Sequence, residues 1–171
     1  MTLPMQWLRE EGVRLRALFA VPARRDWLVL AGVAPLYAVP ALWIGLGSGL
    51  VRWDPMGLVQ ALVFAVIAVV IPALGEELGF RGMLMRGQGA GARIGWAAVS
   101  LAAYVLWHPL QTLTFAPERT LFLDPAFLAM TTLLGIACTV LRWQSGTLWT
   151  AMVLHWGAVV LWQTLGQGLS A

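Results

Sequence analysis

Long stretches without a charged residue alternate with short polar segments along the chain. Five stretches contain no Asp, Glu, Lys or Arg, namely 27–51, 55–75, 94–117, 125–141 and 143–171. A helix needs roughly 20 apolar residues to cross the hydrocarbon core of a bilayer. Four of these stretches reach that length, and only 125–141 is shorter.

The apolar residues in these stretches run continuously and do not alternate with polar ones, so the pattern favours helices over a β-barrel. It predicts about five transmembrane helices, near 28–48, 56–86, 93–110, 125–142 and 147–166. The predicted fold class is therefore an all-α, polytopic membrane helix bundle.

The composition supports the same conclusion. Hydrophobic residues make up 60% of the 171 positions and charged residues only 11%, whereas a soluble domain carries about a quarter charged residues. A chain with so few polar groups needs the lipid bilayer as its solvent. The length fits a single membrane domain over 1–171.

The N-terminal segment has a different pattern. Apolar or small residues recur there at helical spacing, at Met5, Leu8, Gly12, Leu15 and Phe19. Charged residues occupy other positions of the same turns. The spacing predicts an amphipathic helix lying on the membrane surface, within a cytoplasmic segment 1–26.

The arginines predict the orientation. With five spans, nine of the 11 basic residues fall on the side of the N-terminus, and only Arg52 and Arg119 fall opposite. The positive-inside rule then places the N-terminus in the cytoplasm of a bacterial-type inner membrane. Because the basic residues flank membrane spans, the high isoelectric point gives no reason to expect a nucleic-acid partner.

Ionisable side chains inside the apolar segments need an explanation, since each costs about 2.5–3.5 kcal/mol to insert. Glu76 and Glu77 follow the second apolar run, and His108 and His155 lie within later ones. On a helix, residues four apart share a face, so Glu77 pairs with Arg81 and Glu76 projects elsewhere. A poorly solvated Glu76 beside a histidine has the chemistry to abstract a proton from water.

A structural interpretation of the same residues is also open. Glu76, Glu77 and Arg81 form a charge cluster suited to closing the second span at the membrane surface. His108 and His155 are suited to hydrogen bonds between helices. The residues alone do not decide between the two interpretations.

Three segments, in order, resemble a known family. "EELGFR", 76–81, is similar to the Glu-Glu-x-x-x-Arg motif of the CPBP family, the CAAX-prenyl endopeptidases and bacteriocin-processing or immunity proteins also called ABI. "YVLWH", 104–108, resembles its Phe-x-x-x-His motif, with Tyr104 in the aromatic position. "SGTLWTAMVLHWGAV", 145–159, resembles its last segment. The resemblance covers 75–162.

The resemblance implies an intramembrane endopeptidase of the glutamic type. Glu76 and His108 would then activate a water molecule, and His155 would stabilise the oxyanion. Glu77 and Arg81 would support Glu76. A zinc-dependent protease using Glu76, His108 and His155 as ligands is an alternative. Because the chain has no His-Glu-x-x-His pair, the metal-free mechanism without a cofactor is favoured.

One position departs from the family pattern. Val159 stands where the family has Asn or Asp, and valine has no hydrogen-bond donor for an oxyanion. This departure leaves room for a second alternative, a non-catalytic membrane immunity or scaffold protein. For an enzyme, the expected partners are the bilayer and a membrane-associated protein or peptide. A prenylated CAAX tail, a bacteriocin leader and a sorting signal all stay open as substrates.

Overall fold

The computed structural model describes residues 12–86 and 90–165, and these residues form six helices without a β-strand. The helices are α1 (12–18), α2 (Arg24–Ser48), α3 (Leu58–Leu84), α4 (Ala90–Thr114), α5 (Pro125–Ser145) and α6 (Trp149–Leu165). A short 3₁₀ turn, Thr120–Leu123, connects α4 to α5. The predicted all-α fold class is confirmed.

Each of the five predicted spans corresponds to one of the helices α2 to α6. The helices α2, α3, α4 and α5 are long and apolar enough to cross a membrane. Within the described residues α6 has 17 residues, which is shorter than the roughly 20 that a perpendicular span needs. The protein is therefore an integral membrane protein with at least four helices of spanning length.

Only part of the predicted N-terminal helix lies within the described residues. Residues 12–18 are helical, as the spacing predicted, but Met5 and Leu8 lie outside the described residues. Leu15 and Phe19 are exposed, whereas Leu18 is completely buried and its carbonyl oxygen accepts a hydrogen bond from Leu148 N at 2.8 Å. Helix α1 is therefore tied to the start of α6. That residues 1–171 form a single domain, with a cytoplasmic segment 1–26, stays a prediction.

Helix α5 is the centre of the bundle, since α2, α3, α4 and α6 all pack against it. Its buried face carries Leu134, Ala137, Cys138 and Leu141, which meet residues of α6 and of α2. Several of these side chains are small, and small residues let the backbones of membrane helices approach closely.

Local sequence explains where α5 begins and ends. The Asp124 carboxylate accepts hydrogen bonds from the backbone N–H groups of Ala126 and Phe127, at 2.7 and 3.1 Å, and caps the helix start. Pro125 occupies the first turn, where its missing N–H costs nothing. Gly146 ends the helix with a φ of 71°, a left-handed conformation that glycine adopts without strain.

Helix α3 changes its winding where the acidic pair lies. It is α-helical over Leu58–Ala68 and π-helical over Val69–Leu84. Pro72 lies in the first turn of the wider segment. A proline inside an α-helix removes one hydrogen bond and clashes with the carbonyl four residues earlier, so it favours a local change of winding. π-Helical segments are rare and often occur at functional sites.

Neighbouring helices hold this π-helical segment through its backbone oxygens. Ser100 Oγ donates to Phe80 O at 2.7 Å, and Arg14 Nη1 donates to Gly82 O at 2.7 Å. These bonds come from α4 and from α1. They fix the segment that contains Glu76 and Glu77 between two neighbours.

Three tryptophans fix α6 in the bundle. Their indole N–H groups donate to backbone oxygens of three different segments: Trp149 to Phe19 O, Trp156 to Ala65 O and Trp162 to Leu50 O, at 3.2, 2.8 and 2.9 Å. Helix α6 also carries His155, so these bonds determine the position of that imidazole.

Candidate active site

A buried ion pair lies at the centre of the bundle. Arg81 Nη1 is 3.1 Å from Glu77 Oε1, and both side chains are 0% exposed. Arg81 Nη2 donates to Gly135 O on α5 at 3.1 Å, and its guanidinium carbon lies 4.0 Å from the centre of the Tyr104 ring. The predicted pairing of Glu77 with Arg81 is present, and it joins α3 to α4 and α5.

The His155 imidazole lies between the two carboxylates. Its Nδ1 donates to Glu77 Oε1 at 2.8 Å, and its Nε2 lies 3.8 Å from Glu76 Oε2. The Glu76 side chain is 18% exposed, whereas that of Glu77 is completely buried. The two neighbouring acids therefore face one histidine from different sides, and only Glu76 is open to a cavity.

Tyr104 contacts both histidines. Its ring centre lies 5.3 Å from that of His108 and 5.8 Å from that of His155, both in edge-to-face contact. The two imidazole centres are thus at most about 11 Å apart.

The backbone determines which nitrogen of His108 is available. Nδ1 of His108 lies 3.1 Å from Tyr104 O. A carbonyl oxygen only accepts hydrogen bonds, so Nδ1 carries the proton. Phe122 and Phe127 pack against the same ring, with centre distances of 5.3 and 5.4 Å. The Nε2 atom of the neutral ring is consequently the acceptor.

A cavity of about 290 Å³ brings the predicted catalytic residues onto one surface. Glu76, His108 and His155 all contribute to its lining, and Val159 does too. Most of the remaining lining is apolar or aromatic, including Phe64, Ile71, Phe122, Phe127, Met130 and Trp162. A mostly apolar lining with a few convergent polar groups is typical of ligand-binding and active sites.

The structure adds contacts that sequence reasoning missed. The sequence assigned Glu77 only to Arg81, and the hydrogen bond to His155 has no sequence signal because 78 positions separate the residues. The aromatic residues Phe122 and Phe127, which enclose His108, lie in the 3₁₀ turn and at the start of α5, outside the three motifs. The catalytic roles of Glu76, His108 and His155 stay a prediction.

Two carboxylate oxygens at the site have no hydrogen-bond partner. Among the described residues, Glu76 Oε2 and Glu77 Oε2 are buried and unpaired. Leaving a buried acceptor unsatisfied costs about 1–3 kcal/mol or more, so such atoms usually have a functional reason or a water molecule as partner. Glu76 Oε2 is the oxygen that faces His155 across 3.8 Å, a separation that one water can bridge.

The predicted zinc ligands do not form a metal-binding cluster within the described residues. Across 12–86 and 90–165, no three His, Cys, Asp or Glu side chains lie close enough together to hold a metal. Glu76 and His155 approach each other to 3.8 Å, and His108 contacts the same Tyr104 ring as His155. No reaction step is therefore assigned to a metal, and the cofactor-free mechanism stays a prediction.

Comparison with protein families agrees with this site. Residues 58–161, more than half of the chain, match the family described as type II CAAX prenyl endopeptidase Rce1-like. The chain belongs to this Rce1-like family. The match contains Glu76, Glu77, Arg81, Tyr104, His108 and His155, and it confirms the predicted CPBP relationship.

The Rce1-like match extends beyond the three motifs. It begins at Leu58, where α3 begins, and ends within α6. It thus includes α3, α4, α5 and most of α6, which supply most of the cavity lining. Neither the search of curated proteins nor the search of solved structures found a match. The Rce1-like family supports a membrane endopeptidase that acts on a peptide substrate.

Proposed function

We propose that this protein is a glutamic-type intramembrane endopeptidase, which hydrolyses a peptide bond near the C-terminus or the membrane boundary of its substrate. The observation that carries the proposal is the Glu76 carboxylate. It reaches the cavity, has an unpaired oxygen and lies 3.8 Å from His155 Nε2. The Rce1-like family and the apolar cavity lining support a membrane-associated protein or peptide as the substrate.

In the first step, Glu76 acts as the general base. Its carboxylate takes a proton from a water molecule in the cavity, and the water oxygen attacks the carbonyl carbon of the scissile peptide bond. His108 Nε2 accepts a hydrogen bond from the other O–H of the same water, which keeps that hydrogen, because the Nδ1–H of His108 is held by Tyr104 O. Two acceptors then orient the nucleophile, Glu76 from α3 and His108 from α4.

In the second step, His155 stabilises the tetrahedral intermediate. This step requires an imidazolium at His155, whose Nδ1 lies 2.8 Å from Glu77 Oε1 and whose Nε2 lies 3.8 Å from Glu76 Oε2. Nδ1–H stays bonded to Glu77, and Nε2–H donates to the oxyanion. The C–N bond then breaks, and the leaving amine takes the proton held by Glu76.

Val159 limits the oxyanion site to fewer donors than the family motif provides. The valine lies one helical turn after His155 on the cavity lining. Loss of one oxyanion donor typically lowers a rate by about 10²–10³. His155 would therefore be the main donor, and a slow enzyme is expected.

Cleavage assays with purified full-length protein in lipid nanodiscs test the proposal. The reporters are a farnesylated CAAX peptide, a bacteriocin leader peptide and a transmembrane segment with a C-terminal sorting signal. Mass spectrometry of the products identifies the bond that is cut. Cleavage of at least one reporter by the wild type, and loss of that cleavage in Glu76→Gln, is the expected result.

The rival function is a non-catalytic immunity or scaffold role, and Val159 is the observation that favours it. A scaffold has no need of Glu76, His108 and His155. Its prediction is therefore full biological activity in the triple variant Glu76→Gln, His108→Ala, His155→Ala, measured in cells. That result would end the protease proposal.

The proposed orientation is a cytoplasmic N-terminus in a bacterial-type inner membrane. The distribution of the arginines supports it, with nine of 11 on one predicted side. Fusion of a reporter enzyme that is active only in the cytoplasm to the N-terminus tests this orientation. An inactive reporter in an expressed and folded fusion protein would contradict it.

A further inference from the structure

Tyr104 brings a hydroxyl group into the candidate active site. The residue is only 1% exposed, and a buried tyrosine hydroxyl usually has a hydrogen-bond partner. Among the described residues, however, Tyr104 Oη makes no hydrogen bond. It is also not one of the fully buried unpaired atoms, so it borders open space. The space that Tyr104 lines is the cavity shared by Glu76, His108 and His155. The hydroxyl is therefore available to a molecule bound there.

The Tyr104 ring is fixed by its neighbours on three helices. Arg81 of α3 places its guanidinium carbon 4.0 Å from the ring centre, and the Phe80 ring packs edge-to-face at 5.5 Å. The backbone of α5 is so close that a Cβ atom at Gly135 would lie 2.9 Å from Tyr104 Cδ1. None of these contacts uses the hydroxyl group. A donor that is held in place before the reaction stabilises developing charge without a cost of reorganisation.

The same ring lies next to the proposed oxyanion donor. The ring centres of Tyr104 and His155 are 5.8 Å apart, in edge-to-face contact. Val159 lines the same cavity one helical turn after His155 and has no hydrogen-bond donor. A phenol O–H group, in contrast, is a donor. Negative charge that develops beside His155 therefore has an apolar neighbour on α6 and a hydroxyl-bearing neighbour on α4.

From this geometry we propose that the Tyr104 hydroxyl is a second oxyanion donor, which offsets part of the donor capacity that is missing at Val159. The inference rests on the proposed endopeptidase function. When the water oxygen attacks the scissile carbonyl group, the carbonyl oxygen gains negative charge. It then accepts hydrogen bonds from His155 Nε2–H and from Tyr104 Oη–H. The tyrosine keeps its proton throughout, and both bonds weaken when the C–N bond breaks and the carbonyl group forms again.

Steady-state kinetics of Tyr104→Phe test the proposal, with full-length protein in lipid nanodiscs and the peptide reporter that the wild type cuts. Phenylalanine keeps the aromatic ring between Arg81, His108 and His155 and removes only the hydroxyl group. The kcat should fall by about 10²–10³, the usual effect of losing one oxyanion donor. KM should stay close to the wild-type value, because the lost bond forms only in the transition state. The Tm should also stay close, since Oη has no hydrogen-bond partner among the described residues.

The decisive comparison adds Val159→Asn to Tyr104→Phe. The asparagine amide supplies a donor from α6 where the hydroxyl has been removed from α4. Tyr104→Phe should therefore lower kcat at least about tenfold less in the Val159→Asn background than in the wild type, since the two donors serve one oxyanion. A tyrosine that only supports the fold would show no such rescue. A kcat loss of equal size in both backgrounds would overturn the proposal and assign the hydroxyl another role, such as orienting Glu76.

The matched control is Tyr37→Phe, at the only other tyrosine of the chain. Tyr37 lies on α2 and borders the same cavity, but within the described residues its ring contacts neither histidine. Its kcat should stay near the wild-type value, and an equal kcat loss in both tyrosine variants would reject a specific role of Tyr104. Cleavage that is lost in Glu76→Gln but unchanged in Tyr104→Phe would overturn this inference alone. No cleavage of any reporter by the wild type would contradict the endopeptidase proposal as well.

Discussion

Glu77 on α3 and His155 on α6 are joined by a 2.8 Å hydrogen bond between Oε1 and Nδ1. The Glu77 side chain is completely buried. The same oxygen also faces Arg81 Nη1 at 3.1 Å. One carboxylate atom therefore closes the ion pair within α3 and orients the imidazole of another helix. The stability of the bundle and the geometry of the proposed oxyanion donor depend on the same group.

Replacing Glu77 by Gln should consequently lower both stability and activity. The change removes the negative charge beside Arg81 and His155, and breaking a buried pair typically costs about 3–5 kcal/mol. The Tm of the variant in detergent and its cleavage rate are the measurements. The double variant Glu77→Gln/Arg81→Gln should lose less stability than the sum of the two single changes, since no buried charge is left unpaired. Additive losses would argue against a coupled pair.

Replacing Glu76 by Gln should lower activity without lowering stability. Its Oε2 has no hydrogen-bond partner among the described residues and its side chain reaches the cavity, so the fold does not depend on its charge. The Tm should stay close to that of the wild type, while the cleavage rate falls by about 10²–10⁴, the usual contribution of a general base. The control is Glu118→Gln, at a largely exposed acid outside the cavity. Undiminished cleavage in Glu76→Gln would remove this residue from the mechanism.

Position 159 tests whether the oxyanion site is functional. Val159→Asn places an amide donor one helical turn after His155, on the cavity lining. If His155 is the oxyanion donor, cleavage should hold or rise in Val159→Asn and be lost in His155→Ala. The measurement is the rate on whichever peptide reporter the wild type cuts. Cleavage that survives His155→Ala would show that another group stabilises the intermediate.

The close packing of α5 against α4 gives a stability test that is independent of catalysis. A Cβ atom at Gly135 would lie 2.6 Å from Leu101 Cδ1 and 2.9 Å from Tyr104 Cδ1. Gly135→Ala should therefore destabilise the protein by about 1–3 kcal/mol, although alanine is the better helix former. In Gly32→Ala, where no atom lies within 4 Å, the same exchange should be neutral or stabilising. A similar Tm change in both variants would contradict the packing described for Gly135.

Sequence alone predicted the helices well because their signal is local. The uncharged stretches placed α2 to α6 to within a few residues, with the second helix running through Glu76 and Glu77 to Leu84. The pairing of Glu77 with Arg81 also followed, since a spacing of four residues fixes neighbours on a helix. The change to π-helical winding was not predicted, because Pro72 permits several local responses.

The contacts between helices were beyond sequence reasoning. The hydrogen bond from His155 to Glu77 depends on how α6 rotates against α3, which three indole N–H groups help to determine. A second cavity, with Arg14, Arg86, Arg93 and Arg142 in its lining, likewise joins residues from four separate parts of the chain. The arginine pattern alone predicted only an orientation in the membrane, whereas packing places Arg93 and Arg142 around a common space.

The bond between Ser100 Oγ and Phe80 O has a consequence for which substitutions this chain tolerates. The acceptor is a main-chain atom, so it persists whichever side chain evolution places at position 80. Only the side chain at position 100 is constrained by this bond. A search for co-varying pairs of positions would therefore not detect the contact. In a mutational scan, the bond should make position 100 selective for small hydroxyl residues. The segment that carries the acidic pair is thus held partly by a serine on another helix, whichever side chain stands at position 80.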